Sequence, residues 1–319
     1  MKNPIRVLFL QKAGSIIVVT VVIYVASVLF VPRFGTLLNL KILLKSTPQL
    51  GIVSLGVCLL MISGEFDLSV GSNFALSSLI VALLATNGTN IWLSFLLSLI
   101  VGILIGSING LITIKTGIPS FITTLATMMV WRGVVLLISK GRPYMFHPPS
   151  PFYEIFAGSF GFIPVQFIWF IGFTVLFWLL LENHKFGNRV FATGGNKNVA
   201  IAVGVNAYRV KLICFIIAGA MAALAGSMEA TRVSSVSPAQ GEGMELEAIA
   251  ASVIGGTSLM GGEGTILGTF LGAMIIYTIQ DILLLARAPG FYFRLFIGIF
   301  ILLAVMLNIV IKKDNTRRY

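Results

Sequence analysis

Residues 13–31 form an uncharged run closed by Pro32-Arg33. Nine further apolar stretches follow at 48–63, 68–85, 91–114, 119–139, 163–181, 208–228, 246–258, 264–285 and 293–311. A helix needs about 20 apolar residues to cross a hydrocarbon core roughly 30 Å thick, because it rises about 1.5 Å per residue. Inside that core every backbone N–H and C=O needs a partner within the protein, which leaves only helices or closed barrels. Barrel strands would read as short alternating segments rather than continuous runs. The expected fold is an all-α polytopic membrane protein, one transmembrane domain over residues 1–319 with about ten spans, several short or broken. A chain that is 57% hydrophobic and 10% charged, with mean hydropathy +0.99, is excluded from the soluble globular class.

The net charge of +11 raises the question of nucleic acid, and its placement answers it. With the N-terminus in the cytoplasm, segments 1–12, 64–67, 115–118, 182–207, 259–263 and 312–319 share that side. Together with Arg209 and Lys211 they hold 13 of the 22 Lys and Arg residues. Positive charge gathers on the cytoplasmic side of membrane proteins, so both termini are expected there and no nucleic-acid partner is expected. Lys2, Arg6 and Lys12 precede the first run as in a signal peptide. No small-residue cleavage site follows it, and the run reads as an uncleaved span. Cys58 and Cys214 both fall inside apolar spans, as small packing residues do.

Two spans are interrupted. Gly64-Glu65-Phe66-Asp67 separates the second from the third, and the eighth runs into Gly255-Gly256-Thr257-Ser258-Leu259-Met260-Gly261-Gly262-Glu263-Gly264. Paired breaks in the two halves of a bundle point to a transport route; tight cytoplasmic turns would look the same. Gly102, Gly106 and Gly110, and again Gly264, Gly268 and Gly272, put small residues on one helix face, where helices approach closely. Hydroxyls and amides cluster after the first break (Ser69, Ser72, Asn73) and along the fifth span (Ser120, Thr123, Thr124, Thr127). They suit a polyhydroxylated ligand and equally suit bonds between helices. Asp67 reads either as a helix cap or as a ligand contact.

Chemistry of other kinds is missing from the sequence. There is no GxxxxGK[ST] nucleotide loop, His147 and His184 have no carboxylate at metal-ligand spacing, and no nucleophile elbow is present. The longest polar interruption is Glu182–Lys211. Within it Asn196-Lys197-Asn198 caps the apolar turn Val199–Val203, which Gly204 closes. So short a helix leans either on its own bundle or on a partner.

Four stretches in order resemble the permease subunits of ribose-type ATP-binding-cassette sugar importers: GEFDLSVGS, IPSFITTLATM with RG and GRP, GNRVFATGGNKNVAIAVGV, and GEGMELEAIAASVIGGTSLMGGEGT. Glu65, Ala126 and Val199 depart from residues usual in that family. The resemblance implies a bacterial inner-membrane subunit with no cofactor of its own. Its partners would be a cytoplasmic ATPase that hydrolyses ATP, an extracytoplasmic sugar-binding protein and a second permease copy. It also implies that the ATPase docks on Asn196–Gly204, with Val199, Ala200 and Val203 as the apolar face and Arg189 and Lys197 at its rim. The substrate route would run past Asp67, Ser69, Ser72, Asn73, Ser120, Thr123, Thr124 and Thr127. Permeases of the related branched-chain amino-acid class, and ion-coupled secondary transporters, are the alternatives.

Overall fold

The computed structural model of the chain describes residues 14–299 together with 302 and 306. The terminal charges and most of residues 300–311 lie outside the described residues. The helices are α1 Gly14–Phe30, α2 Leu37–Ile62, α3 Val70–Thr86, α4 Ile91–Thr116, α5 Ser120–Ser139, α6 Ser150–Phe156, α7 Val165–Trp178, α8 Lys185–Gly195, α9 Lys197–Ala202, α10 Ala207–Val233, α11 Met244–Ile254 and α12 Ile266–Leu285. A π-helical turn, Leu179–Asn183, extends α7, and residues 291–299 are helical. Four two-residue strands pair as two small antiparallel ladders: Tyr144–Met145 with Ser235–Val236, and Ser159–Phe160 with Ile163–Pro164. Among the described residues six helices are long and apolar enough to cross a membrane, and α1 and α3 are shorter apolar helices. The protein is an all-α polytopic membrane protein.

The centre of the bundle is α2 against α10. Every residue of α2 from Thr47 to Ile62 is buried. This helix begins at Leu37, well before the expected start at residue 48. Pro48 and the two lysines Lys41 and Lys45 read as a boundary, because proline favours a first helical turn. Thr36 instead caps the helix, accepting from the Asn39 N–H at 3.3 Å. Pro48 sits mid-helix, where it lacks an N–H for the Leu44 carbonyl. The glycine ladders do pack helices, except that Gly264 lies before α12 rather than on its face. A Cβ at Gly102 would overlap the Ala223 side chain, and one at Gly106 the Phe215 carbonyl, so α4 lies directly on α10. In the same way Gly268 and Gly272 bring α12 onto Gly255 and Ala251.

The eighth expected span, 246–258, differs most. Only Met244–Ile254 is helical, 11 residues that rise roughly 16 Å, about half a bilayer core. The other half is crossed by a strap of successive tight turns, 237–243, in which the Gln240, Glu242 and Met244 N–H groups bond to the Ser237, Ala239 and Gly241 carbonyls. Val236 is held at one end of the bundle by the ladder to Tyr144. Gly241 lies so close against Gly71 that a Cβ on either would meet the other's carbonyl oxygen. Gly71 is in the first turn of α3, and that turn sits at mid-depth. The neighbouring Asn73 donates to the Gly102 and Gly219 carbonyls at 3.3 and 3.1 Å. Those residues lie roughly 17 and 18 Å along α4 and α10 from their first residues. The strap therefore descends from the bundle's end to its middle, where α11 begins.

Candidate coupling and translocation site

Both expected breaks meet the polar loop. α8 ends in Thr193-Gly194-Gly195, and a Cβ at Gly194 would overlap the Ile62 carbonyl at the end of α2. The same carbonyl accepts from the Gly262 N–H at 2.8 Å. Gly261 packs against Gly64, and Gly64, Gly261 and Gly262 all have left-handed backbone (φ +87°, +78° and +75°). Five glycines thus bring three chain segments into backbone contact: the loop after α2, the loop after α11 and the α8–α9 connection. They do not behave as independent surface turns.

From this junction α9 projects. The Asn196 side chain accepts from the Asn198 and Val199 N–H groups at 3.1 Å each. At the other end the Gly204 N–H bonds to the Ile201 carbonyl and the Val205 N–H to the Ala200 carbonyl, with Gly204 at φ +85°. That pair of bonds is a Schellman closure, which only a left-handed residue completes without strain. Val199, Ile201 and Val203 are 57%, 43% and 71% exposed. Ala200 is buried, which corrects its expected place on the docking face; at about 100° per residue Val199 and Val203 share one exposed face, and Ile201 is exposed on the opposite flank. Arg189 is exposed on α8, while Lys197 is half-buried with its ammonium 4.5 Å over the Tyr208 ring. Sequence reasoning missed α8. Its signal was present in Gly187, Val190 and Thr193, buried at helical spacing, with Lys185, Asn188 and Arg189 exposed between them.

Between junction and bundle centre lies the first break. Buried Asp67 accepts from the Ser69 N–H (2.8 Å), the Ser69 hydroxyl (2.7 Å) and the Asn109 amide (3.2 Å). Ser120 and Thr124 on α5 accept from the Phe66 and Leu68 N–H groups, both at 3.0 Å. Ser72 donates to the Met128 carbonyl at 2.9 Å and Thr127 to the Thr124 carbonyl at 3.3 Å. Non-helical backbone within a bilayer needs such donors and acceptors. Of the eight polar residues expected on the route, seven thus make hydrogen bonds within the protein, and Thr123 is buried with its hydroxyl unpartnered. Glu65, a departure from the family pattern, pairs with Lys211 at the start of α10, N···O 2.5 Å, with both side chains mostly buried.

Sequence reasoning also missed a polar cluster deeper in the bundle. Gln49 on α2 donates to Gln166 (3.0 Å) and Glu229 (2.8 Å), and Glu229 receives Arg232 through two bonds. Glu229 and Arg232 lie beyond the expected end of the seventh span at residue 228. A charged pair three residues apart reads as an ordinary exposed helical pair until α2 and α7 are seen packed over it.

A membrane bundle with broken spans, all converging on a short capped helix with an exposed apolar face, is the arrangement of a transport subunit driven by a partner. The chain belongs to the family described as branched-chain amino acid transport system / permease component, whose model matches residues 39–305. Among similar proteins, the ribose import permease protein RbsC of Bacillus subtilis (strain 168) is 39% identical over 300 residues, covering 94% of this chain and 93% of the relative. RbsC of Escherichia coli (strain K12) is 34% identical, covering 94% of each. The L-arabinose transport system permease protein AraH of Escherichia coli (strain K12) is 34% identical over 92% of this chain and 89% of its own length. No solved structure matches the chain.

Proposed function

We propose that this chain is the permease subunit of an ATP-binding-cassette importer that carries a monosaccharide, of the ribose or arabinose kind, across the bacterial cytoplasmic membrane. In this reading it forms one transmembrane domain with ten crossings and both termini in the cytoplasm, the eighth crossing being strap plus half-helix. It pairs with a second permease copy and receives sugar from an extracytoplasmic binding protein. It makes no covalent chemistry and binds no cofactor; a partner ATPase docks on Val199 and Val203, with Ile201 on the flank and Arg189 and Lys197 at the rim. The observation that carries the reading is the glycine junction. A push on α9 reaches the backbone of both breaks without an intervening side chain, and two packed arrangements of such a contact give a two-state switch. The substrate class is tested by uptake into proteoliposomes holding this chain with its ATPase and binding protein. Competition by unlabelled pentoses or hexoses is expected; competition by leucine or valine instead would move the chain to the amino-acid class.

Two smaller predictions follow from the same geometry. Gly204→Ala places a Cβ in left-handed backbone and is expected to destabilise the end of α9 by about 1 kcal/mol. Uptake then falls a few-fold while the thermal midpoint in detergent holds, because the helix lies outside the bundle core. Glu65→Ala leaves the mostly buried Lys211 ammonium unpaired, at a cost of about 2 kcal/mol. That variant is expected to melt earlier, and the reversed pair Glu65→Lys with Lys211→Glu to recover most of the loss. A swap that melts no later than Glu65→Ala alone would show the pairing to be immaterial.

A further inference from the structure

The strap leaves a cleft that none of the expected route residues lines. It has a volume of about 760 Å³ and runs between α5 and the strap. That size lies within the range of roughly 300–1,000 Å³ typical of small-molecule sites. Arg132, Glu242 and Glu245 border it, with Met128, Met129 and Gly133 along the α5 wall. Its floor is at mid-depth, since Glu245 is in the first turn of α11 and its carboxylate reaches Gly71. Non-helical backbone at that depth is stable only if it is packed in protein or borders water. The strap does both: its Gly241 face is packed on α3 and its Ser237–Ala239 and Glu242 face borders the cleft.

Arg132 fixes the strap and remains available to a ligand. Its Nη1 donates to the Pro238 and Gln240 carbonyls at 2.8 and 2.9 Å. A guanidinium carries five N–H donors, and the others make no hydrogen bond among the described residues. The Glu242 carboxylate on the strap wall and the Glu245 carboxylate on the floor supply acceptors. A carboxylate accepts two or more hydroxyl hydrogens, and a guanidinium donates to hydroxyl oxygens in a fixed plane. Convergent groups of both kinds, walled by methionine and proline, match the alternating hydroxyl and C–H faces of a neutral polyol.

We propose that this cleft, floored by Glu245 and walled by Glu242 and Arg132, is where the monosaccharide rests midway through its passage. The assignment rests on the sugar-importer reading above. Sugar enters from the end of the bundle that holds the Tyr144–Val236 ladder, and the half-helix α11 separates it from the glycine junction. A push at the junction moves α11, and with it one wall of the site.

The test uses the full complex in proteoliposomes. Gly133→Cys adds a thiol where a Cβ meets nothing within 4 Å, and both native cysteines are buried, so labelling reports this position alone. A membrane-impermeant thiol reagent is expected to label it, and the transported sugar delivered by its binding protein to slow labelling at least about 5-fold. Glu242→Gln with Glu245→Gln is expected to lower sugar moved per ATP hydrolysed about 10-fold, with stimulation of the ATPase by loaded binding protein retained. Absent labelling, labelling unchanged by sugar, or an unchanged sugar-to-ATP ratio would each overturn the site. A wild-type complex that moves no monosaccharide would sink the sugar reading itself, a result separable from failure of the cleft alone.

Discussion

Replacing Gly194 by valine is expected to abolish coupled uptake. Its Cβ would overlap the Ile62 carbonyl, and the Gly262 N–H lies 2.6 Å away on the other segment. No flexible side-chain end can give way there, because both neighbours are backbone groups that hydrogen-bond to each other. Overpacking a tight contact costs about 1–3 kcal/mol. Parting the segments would also strand a buried N–H and C=O, at about 1–3 kcal/mol more. The cost falls where α8 meets the breaks, so the variant should retain its bundle and bind ATPase while losing transport. Gly194→Ala carries the same Cβ overlap and should lose uptake too, whereas Gly195→Ala, whose Cβ meets only Gly262 at 4.0 Å, is its matched control and should behave like wild type. Equal loss in the two alanine variants would show that the junction has no special role.

The second large effect lies on α9 itself. Val199→Glu with Val203→Glu should lower uptake at least about 100-fold, equivalent to about 2.7 kcal/mol of docking or coupling energy. Two carboxylates would enter an interface that the wild type fills with exposed valines, and burying an unpaired charge is costly. Neither valine supports the fold, so the thermal midpoint of the permease should hold. Co-purification of the ATPase reports docking separately from uptake. Retained capture with full uptake would remove the docking assignment. Ala200→Glu would be a poor probe, since Ala200 is buried and its loss of function would report folding.

Much of this architecture is legible in the residues because the bilayer imposes one rule on every span. Uncharged runs located most helices within a few residues, and the Asn196 cap and Gly204 closure located α9. The start of α2 was hidden because Lys41 and Lys45 sit on helical turns before Pro48, where local chemistry reads as a boundary, whereas the Thr36 cap starts the helix eleven residues earlier. The strap was hidden for a different reason. Ser237-Pro238-Ala239-Gln240 is an ordinary loop in sequence, and only the contact of Gly241 with Gly71 shows that it enters the bundle. The same holds for the hydroxyls of Ser120 and Thr124. Their residue types fit either a sugar or a backbone N–H, and pairing across 54 and 56 residues is visible only in three dimensions. Glu65 read as a departure near the route; its partner Lys211 is 146 residues away.

Whether a separate ATPase drives this chain through α9 is decided by omitting components one at a time from proteoliposomes. Labelled sugar is supplied outside, with ATP inside and each of permease, ATPase and binding protein left out in turn. Accumulation is expected only when all three are present with hydrolysable ATP, and none under an imposed proton or sodium gradient alone. Accumulation by the permease alone, driven by such a gradient, would contradict drive by the ATPase and turn attention to Glu65, Asp67 and Asp281 as ion-coupling groups.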